Sequence, residues 1–208
     1  MNWRHGLVAA FGLLGVSACT GPAEPIWASD IEVARSVYSD DSPPSLTLFT
    51  VINNRNGAGA HSALMVNGSQ RVIFDPAGTW HHPNLPERND VHFGMTDPVV
   101  DFYVDYHSRI TYHTIIQEIE VTPEVAQAAM QAIMSYGAVP KAQCSTSISQ
   151  IFAQIPDFQG ISHTWFPKQL SQSFAQLPGV VTEKVYDNDS HDNSGLIEAP
   201  SVTYNQVN

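Results

Sequence analysis

The stretch from His61 to Phe74 constrains this chain more tightly than any other. Two apolar runs, Ala63-Leu64-Met65-Val66 and Val72-Ile73-Phe74, flank Asn67-Gly68. Asn-Gly between runs of strand-forming residues is the strongest short-range hairpin signal, so an antiparallel pair with a type I′ turn is expected here. Other strands fit around it. Leu46 to Ile52, Ile110 to Val121 and Val180 to Tyr186 are short, and the middle one is rich in β-branched and aromatic residues. Helical segments are interspersed with them, so the chain is read as α+β.

The helices announce themselves by their ends. Thr122-Pro123 supplies an N-cap followed by proline at the first helical position, and Val125, Ala129, Ala132 and Ile133 make the apolar side of the helix that follows. Asp97-Pro98 opens another through Tyr106, and Pro167 a third carrying Leu170, Phe174 and Leu177. A short helix over 31–37 is also expected. The remaining helix begins at Cys144. Ile148, Ile151, Phe152 and Ile155 fall at helical spacing, a one-sided stripe with Cys144 at its start. Between Pro76 and Thr96 lies a long irregular loop holding Trp80, His81, His82, Glu87, Arg88 and His92. Loops of that length inside a domain are commonly functional rims.

The first eighteen residues read as a leader. Arg4 precedes an uncharged stretch from Leu7 to Ala18, too short to span a bilayer and suited to a signal-peptide core. Val16-Ser17-Ala18-Cys19 resembles a bacterial lipobox, which implies lipidation of Cys19 and membrane attachment without a spanning helix. With Thr20 next, the resemblance implies an outer-membrane anchor facing the periplasm. The expected organisation is a signal peptide over 1–18, a tether and lead-in over 19–44, one domain over 45–187 and a disordered tail over 188–208.

Cysteine arithmetic then becomes sharp. The chain has two cysteines, and lipidation of Cys19 leaves Cys144 with no disulfide partner. Loss of Arg4 with the leader would leave eight basic residues against twenty acidic ones. That balance argues against nucleic acid as a partner. A 43% hydrophobic content argues against global disorder.

A thiol at a helix start feels the positive end of the helix dipole, which favours thiolate. A cysteine nucleophile also needs a base, and the base needs an orienting polar group. Ala60-His61-Ser62-Ala63-Leu64-Met65-Val66 followed by Cys144-Ser145-x-x-Ile148-x-x-x-Phe152 resembles the circularly permuted papain-like superfamily. That superfamily includes NlpC-type peptidoglycan hydrolases and lecithin:retinol acyltransferase-like proteins, whose permuted members place histidine before cysteine. Val72-Ile73-Phe74-Asp75-Pro76-Ala77-Gly78 also looks like a bacterial branch of it.

The resemblance covers about 46–186. It implies an antiparallel sheet packed against a helix that begins with nucleophilic Cys144, with His61 as general base and Asp75 as the third group. His113 and His92 are the reserves for that third role. Gln143 and Trp80 are candidates for oxyanion or substrate contacts. The implied activity is a cell-envelope cysteine hydrolase acting on amide bonds, such as those of a peptidoglycan peptide, with no cofactor.

Two other functions fit the same resemblance. One is an acyl-ester or lipid-amide hydrolase or acyltransferase, whose substrate is an acylated small molecule; the other is a non-catalytic envelope-binding lipoprotein. A metal centre is a separate possibility, since His81, His82, His92, His107 and His113 are potential ligands. None stands at His-Glu-x-x-His spacing, so no metal site is expected from the sequence.

Overall fold

The structure, a computed structural model, describes residue 23 and residues 25–197. The leader and Cys19 lie outside the described residues. Seven antiparallel strands form one sheet in the order β4-β5-β3-β2-β1-β6-β7. The strands are β1 (Ser45–Asn53), β2 (Gly59–Asn67), β3 (Arg71–Phe74), β4 (Glu87–Arg88), β5 (Val91–Phe93), β6 (Tyr112–Glu120) and β7 (Val181–Tyr186). Among the described residues six helices accompany them: α1 (Asp30–Arg35), α2 (Asp97–His107), α3 (Pro123–Tyr136), α4 (Cys144–Phe152), α5 (Pro167–Phe174) and α6 (Ser194–Ile197). No described helix is long and apolar enough to cross a membrane.

Side-chain alternation along β1 and β2 sets the layers. Leu46, Leu48, Leu64 and Val66 face α3, α4 and α5, where they meet Ala126, Ala129, Ile148 and Phe152. Their neighbours Phe49, Ala63 and Met65 face the other way, toward Val99, Tyr103 and Tyr106 of α2. Because both faces are covered, the strands read as near-continuous apolar runs. Each fully buried aliphatic or aromatic side chain contributes about 1.5–3 kcal/mol.

Several local expectations change on contact with the fold. Asn67 and Arg71 pair across a three-residue connection, so Asn-Gly does not form a two-residue turn. The Asn67 side chain instead donates to Ser42 Oγ at 3.0 Å and to the Pro43 carbonyl at 3.2 Å, tying down the lead-in segment. Two short strands, β4 and β5, extend the sheet out of what reads as an irregular loop over 76–96.

Helix α4 is buried nearly all round, with Gln150 its one exposed residue. A one-sided stripe does not anticipate this, because the sequence supplies hydroxyls where a solvent face would be. Ser147 Oγ and Ser149 Oγ donate to the carbonyls three residues back, at 2.8 and 2.9 Å, so these two buried hydroxyls are satisfied within the helix.

The segment after Asp187 is placed as far as residue 197, where sequence suggests disorder. Asp189 accepts from Arg109 at 3.0 Å, and Asn193 donates to the Tyr106 carbonyl at 2.9 Å. These polar contacts hold it to the end of α2 and to the residue Arg109 just beyond, with Leu196 packed against the cluster on that side, and no apolar run in the sequence gives warning of it.

Candidate active site

The site forms where the α2 face and the α4 face meet at one end of β2. A bulge comes first. Val51 pairs with His61 but Ile52 pairs with Gly59, so Ala60 is the extra residue beside His61. Bulges of this kind re-aim a neighbouring side chain. Gly59 is required there: a Cβ would stand 2.6 Å from the Lys168 backbone nitrogen, where α5 begins.

From β2, His61 reaches Asp75, the residue after β3, and its Nε2 lies 2.5 Å from Asp75 Oδ1. The Tyr103 hydroxyl of α2 donates to the same oxygen at 2.9 Å. With Nε2 engaged by Asp75, the other ring nitrogen, Nδ1, is the one left for Cys144, whose thiol pKa the His61 side chain lowers. Cys144 enters from the opposite face as the first residue of α4, and is the free cysteine among the described residues. Pairing between β2 and β3 ends at Leu64 with Phe74, and beyond it the Ser62 amide turns to the Cys144 sulfur. Three residues distant in sequence are therefore brought to one place, in the order Cys144–His61–Asp75.

Electrostatics bias this chain toward the charged pair. Burial works against the Cys144 thiolate, but the bond to His61, the imidazolium charge, the Ser62 amide and the Ser145 hydroxyl outweigh it and lower the thiol pKa. Burial likewise opposes charge on His61, yet the carboxylate of Asp75 and the sulfur of Cys144 raise its pKa well above 6.5. Asp75 is buried too, and its pKa still lies far below the ordinary carboxylate value because His61, His107 and His92 face it.

Both shifts favour the thiolate–imidazolium pair over the neutral one. His107 lies almost parallel to the His61 ring, with 11° between planes, and donates through Nδ1 to the Tyr103 carbonyl at 2.8 Å. Burial drops its pKa to about 4, so it is a neutral wall against the imidazole at neutral pH.

A cleft of about 510 Å³ opens on this centre. His61 lines it together with Ala77-Gly78-Thr79, Tyr106 and His107, and the segment His191–Asn193 closes one side. Cys144 is 7% exposed and does not line the cleft, so the imidazole is the group that a molecule there meets first. Gly78 permits the strap to lie on Asp75, since a Cβ at Gly78 would sit 1.9 Å from Asp75 Oδ2.

The other residues singled out from sequence are placed differently. Gln143 is the N-cap of α4, but its side chain makes no capping bond. Trp80 is buried against His92 and Tyr103 and faces a second cavity, not this cleft. His92 lies near Asp75, but burial drops its pKa to about 4 and leaves it neutral at neutral pH, so it is not the third group of the centre. His113 is held by Asn54 at 2.6 Å, stacked on Tyr186, and is no part of the centre.

Donor atoms of His61, Asp75 and His107 lie within 4.8 Å of one another and could in principle hold a metal ion. An ion held there would take the place of the short His61–Asp75 bond.

Sequence reading misses Tyr103 and Gly78, and weighs His107 only as a metal ligand. A signal for Tyr103 and His107 exists, since they stand four apart on one face of a helix. Gly78 could be suspected only from its place just after Asp75-Pro76. No protein-family model matches the chain, and no curated protein or solved structure was found to be similar to it.

Proposed function

We propose that the protein is a thiol-dependent acyl hydrolase with a permuted papain-like arrangement, acting on amide bonds of a peptidoglycan-type peptide. The observation that carries the reading is the Cys144–His61–Asp75 chain, with the thiol on a helix N-terminus. In this mechanism the Cys144 thiolate attacks the substrate carbonyl carbon and forms a tetrahedral adduct. Its oxyanion would be met by the amide groups of the first turn of α4, which have no acceptors inside the helix. His61 gives its Nδ1 proton to the departing amine, and the carbon–nitrogen bond breaks to leave a thioester on Cys144.

Water then attacks the thioester while His61 takes its proton. The thiolate departs, the acid product leaves and the ion pair is restored. Asp75 keeps its charge throughout, fixing the ring by its bond to Nε2 and stabilising the imidazolium. Attachment to a bacterial envelope through lipidated Cys19 completes the reading and brings the domain to such a substrate.

The reading is tested by mass spectrometry of the soluble domain after brief exposure to p-nitrophenyl acetate. The expected result is one acetyl group on Cys144, formed with a burst of nitrophenol and absent in Cys144→Ala. Acetylation confined to surface lysines, with no burst, would remove the acyl-enzyme from the account.

A further inference from the structure

Beside the thiol lies a pair of hydroxyls that the Cys144, His61 and Asp75 chemistry does not use. Ser62 Oγ of β2 and Ser145 Oγ of α4 stand 3.3 Å apart, and both residues are fully buried. Their setting is apolar. Ser62 shares the helix-facing side of β2 with Leu64 and Val66, and Ile148 follows Ser145 one turn along α4. Replacing both members of a buried hydrogen-bonded pair by apolar groups of the same shape is often neutral or stabilising. Stability alone therefore gives no reason for two hydroxyls here.

The other serines of α4 show how a buried hydroxyl is satisfied inside a helix. Ser147 and Ser149 turn back to the carbonyls of Cys144 and Thr146. Ser145 instead reaches outward, to Ser62 Oγ and to the Cys144 sulfur at 3.9 Å. Counting protons gives the direction of this contact. Each hydroxyl has one proton to donate and lone pairs to accept. An ionised sulfur only accepts, so Ser145 donates to it and accepts in turn from Ser62. With Cys144 protonated the order reverses, S–H to Ser145 and Ser145 to Ser62. The pair follows the charge on the sulfur without help from water.

We propose that Ser145 donates to the Cys144 thiolate and that Ser62 is a positioning residue, holding the Ser145 hydroxyl in its donating orientation. Burial raises the thiol pKa, and His61, the Ser62 amide and then the Ser145 hydroxyl lower it. The other titratable groups around the centre are Asp75 and His107, which act on His61, and Tyr103 of α2. A thiolate is both the attacking group and the group expelled from the thioester, so one donor serves both steps. That catalytic use rests on the thiol-hydrolase reading; the effect on the thiol does not.

The test measures iodoacetamide labelling of Cys144 against pH in folded Ser145→Ala, Ser62→Ala and the double variant. Ser62→Ala keeps the backbone amide, and none of the variants alters a titratable group. Ser145→Ala should move the curve to higher pH and slow labelling below its midpoint by about three- to tenfold, the scale of one hydrogen bond. Ser62→Ala should give a smaller shift in the same direction, and Ser62→Thr, which keeps the hydroxyl, should label like wild type. The double variant should match Ser145→Ala alone, because Ser62 reaches the sulfur only through Ser145. The two single changes lie in different elements, so one that folds poorly leaves the other to decide. Reduced stability with an unmoved curve would make the pair a packing feature and overturn the proposal. Additive shifts in the double variant would overturn the role given to Ser62. Displaced curves in a protein that forms no acetyl-enzyme would leave the pair standing and defeat the hydrolase reading instead.

Discussion

The two faces of the sheet bury the same strands against very different partners. On the α3–α4–α5 face, Leu46, Leu48, Leu64 and Val66 meet Ile133, Ile148, Ile151 and Phe152, and the core is almost wholly aliphatic and aromatic. On the α2 face, Phe49 and Met65 share their layer with Trp80, Tyr103 and Tyr106, and a network of His61, Asp75 and His107 runs along its edge. The first face is held by area, which is non-directional and tolerant of approximate shape. The second depends on partners at fixed distances, where one missing donor leaves a buried charge exposed to its full desolvation cost. Stability and reactivity should therefore separate when the faces are perturbed one at a time.

The largest stability effect belongs to the aliphatic face. Phe152→Ala, at a fully buried site ringed by Phe158 and Phe174, is expected to cost about 3–5 kcal/mol in denaturant unfolding. Its Cys144 alkylation rate should stay close to wild type under folding conditions. Gly78→Ala should do the reverse. Its new methyl collides with the Asp75 carboxylate, so alkylation near pH 6.5 should slow by about ten- to a hundredfold, the scale of an ångström-size misplacement. A Gly78→Ala protein that labels normally would show that Asp75 does not set the imidazole.

Tyr103→Phe removes one of the two donors to Asp75 Oδ1. The expected loss is about 1–2 kcal/mol of stability, with a smaller slowing of alkylation than Gly78→Ala gives. The subtlest effect concerns Glu87. A carboxyl whose pKa is raised in the fold contributes stability below its unfolded value near 4.5, and that contribution is lost as pH rises through about 7. Glu87→Gln should accordingly raise the melting temperature relative to wild type at pH 8 but not at pH 5. An equal change at both values would place the effect in packing instead of charge.

The same contrast decides what could be read before folding. Aliphatic periodicity, Thr122-Pro123 and the Pro167 start are local signals, and the helices they mark stand at 123–136, 144–152 and 167–174. The hairpin is legible for the same reason, although Asn67 spends its side chain on the lead-in segment rather than on a tight turn. His61, Asp75 and Cys144 could be nominated as residue types in an order, but no local pattern says that Asp75 Oδ1 rather than His92 or His113 reaches Nε2. That choice is made by the bulge at Ala60, the end of β3 and the glycine at 78, all properties of the assembled sheet. The His191–Asn193 wall of the cleft was illegible because hydrogen bonds, with little apolar burial, hold it.

The central claim is that Cys144 is poised as a thiolate by His61 and, through it, by Asp75. The direct measurement is the pH dependence of Cys144 alkylation by iodoacetamide in the folded domain beginning after Cys19, compared with His61→Ala and Asp75→Asn. The account predicts rapid labelling well below the reference thiol pKa of about 8.5, a curve displaced to higher pH in Asp75→Asn and further still in His61→Ala. Labelling that follows an ordinary thiol curve in all three proteins, or that needs unfolding to occur, would make Cys144 a packing residue and contradict the account.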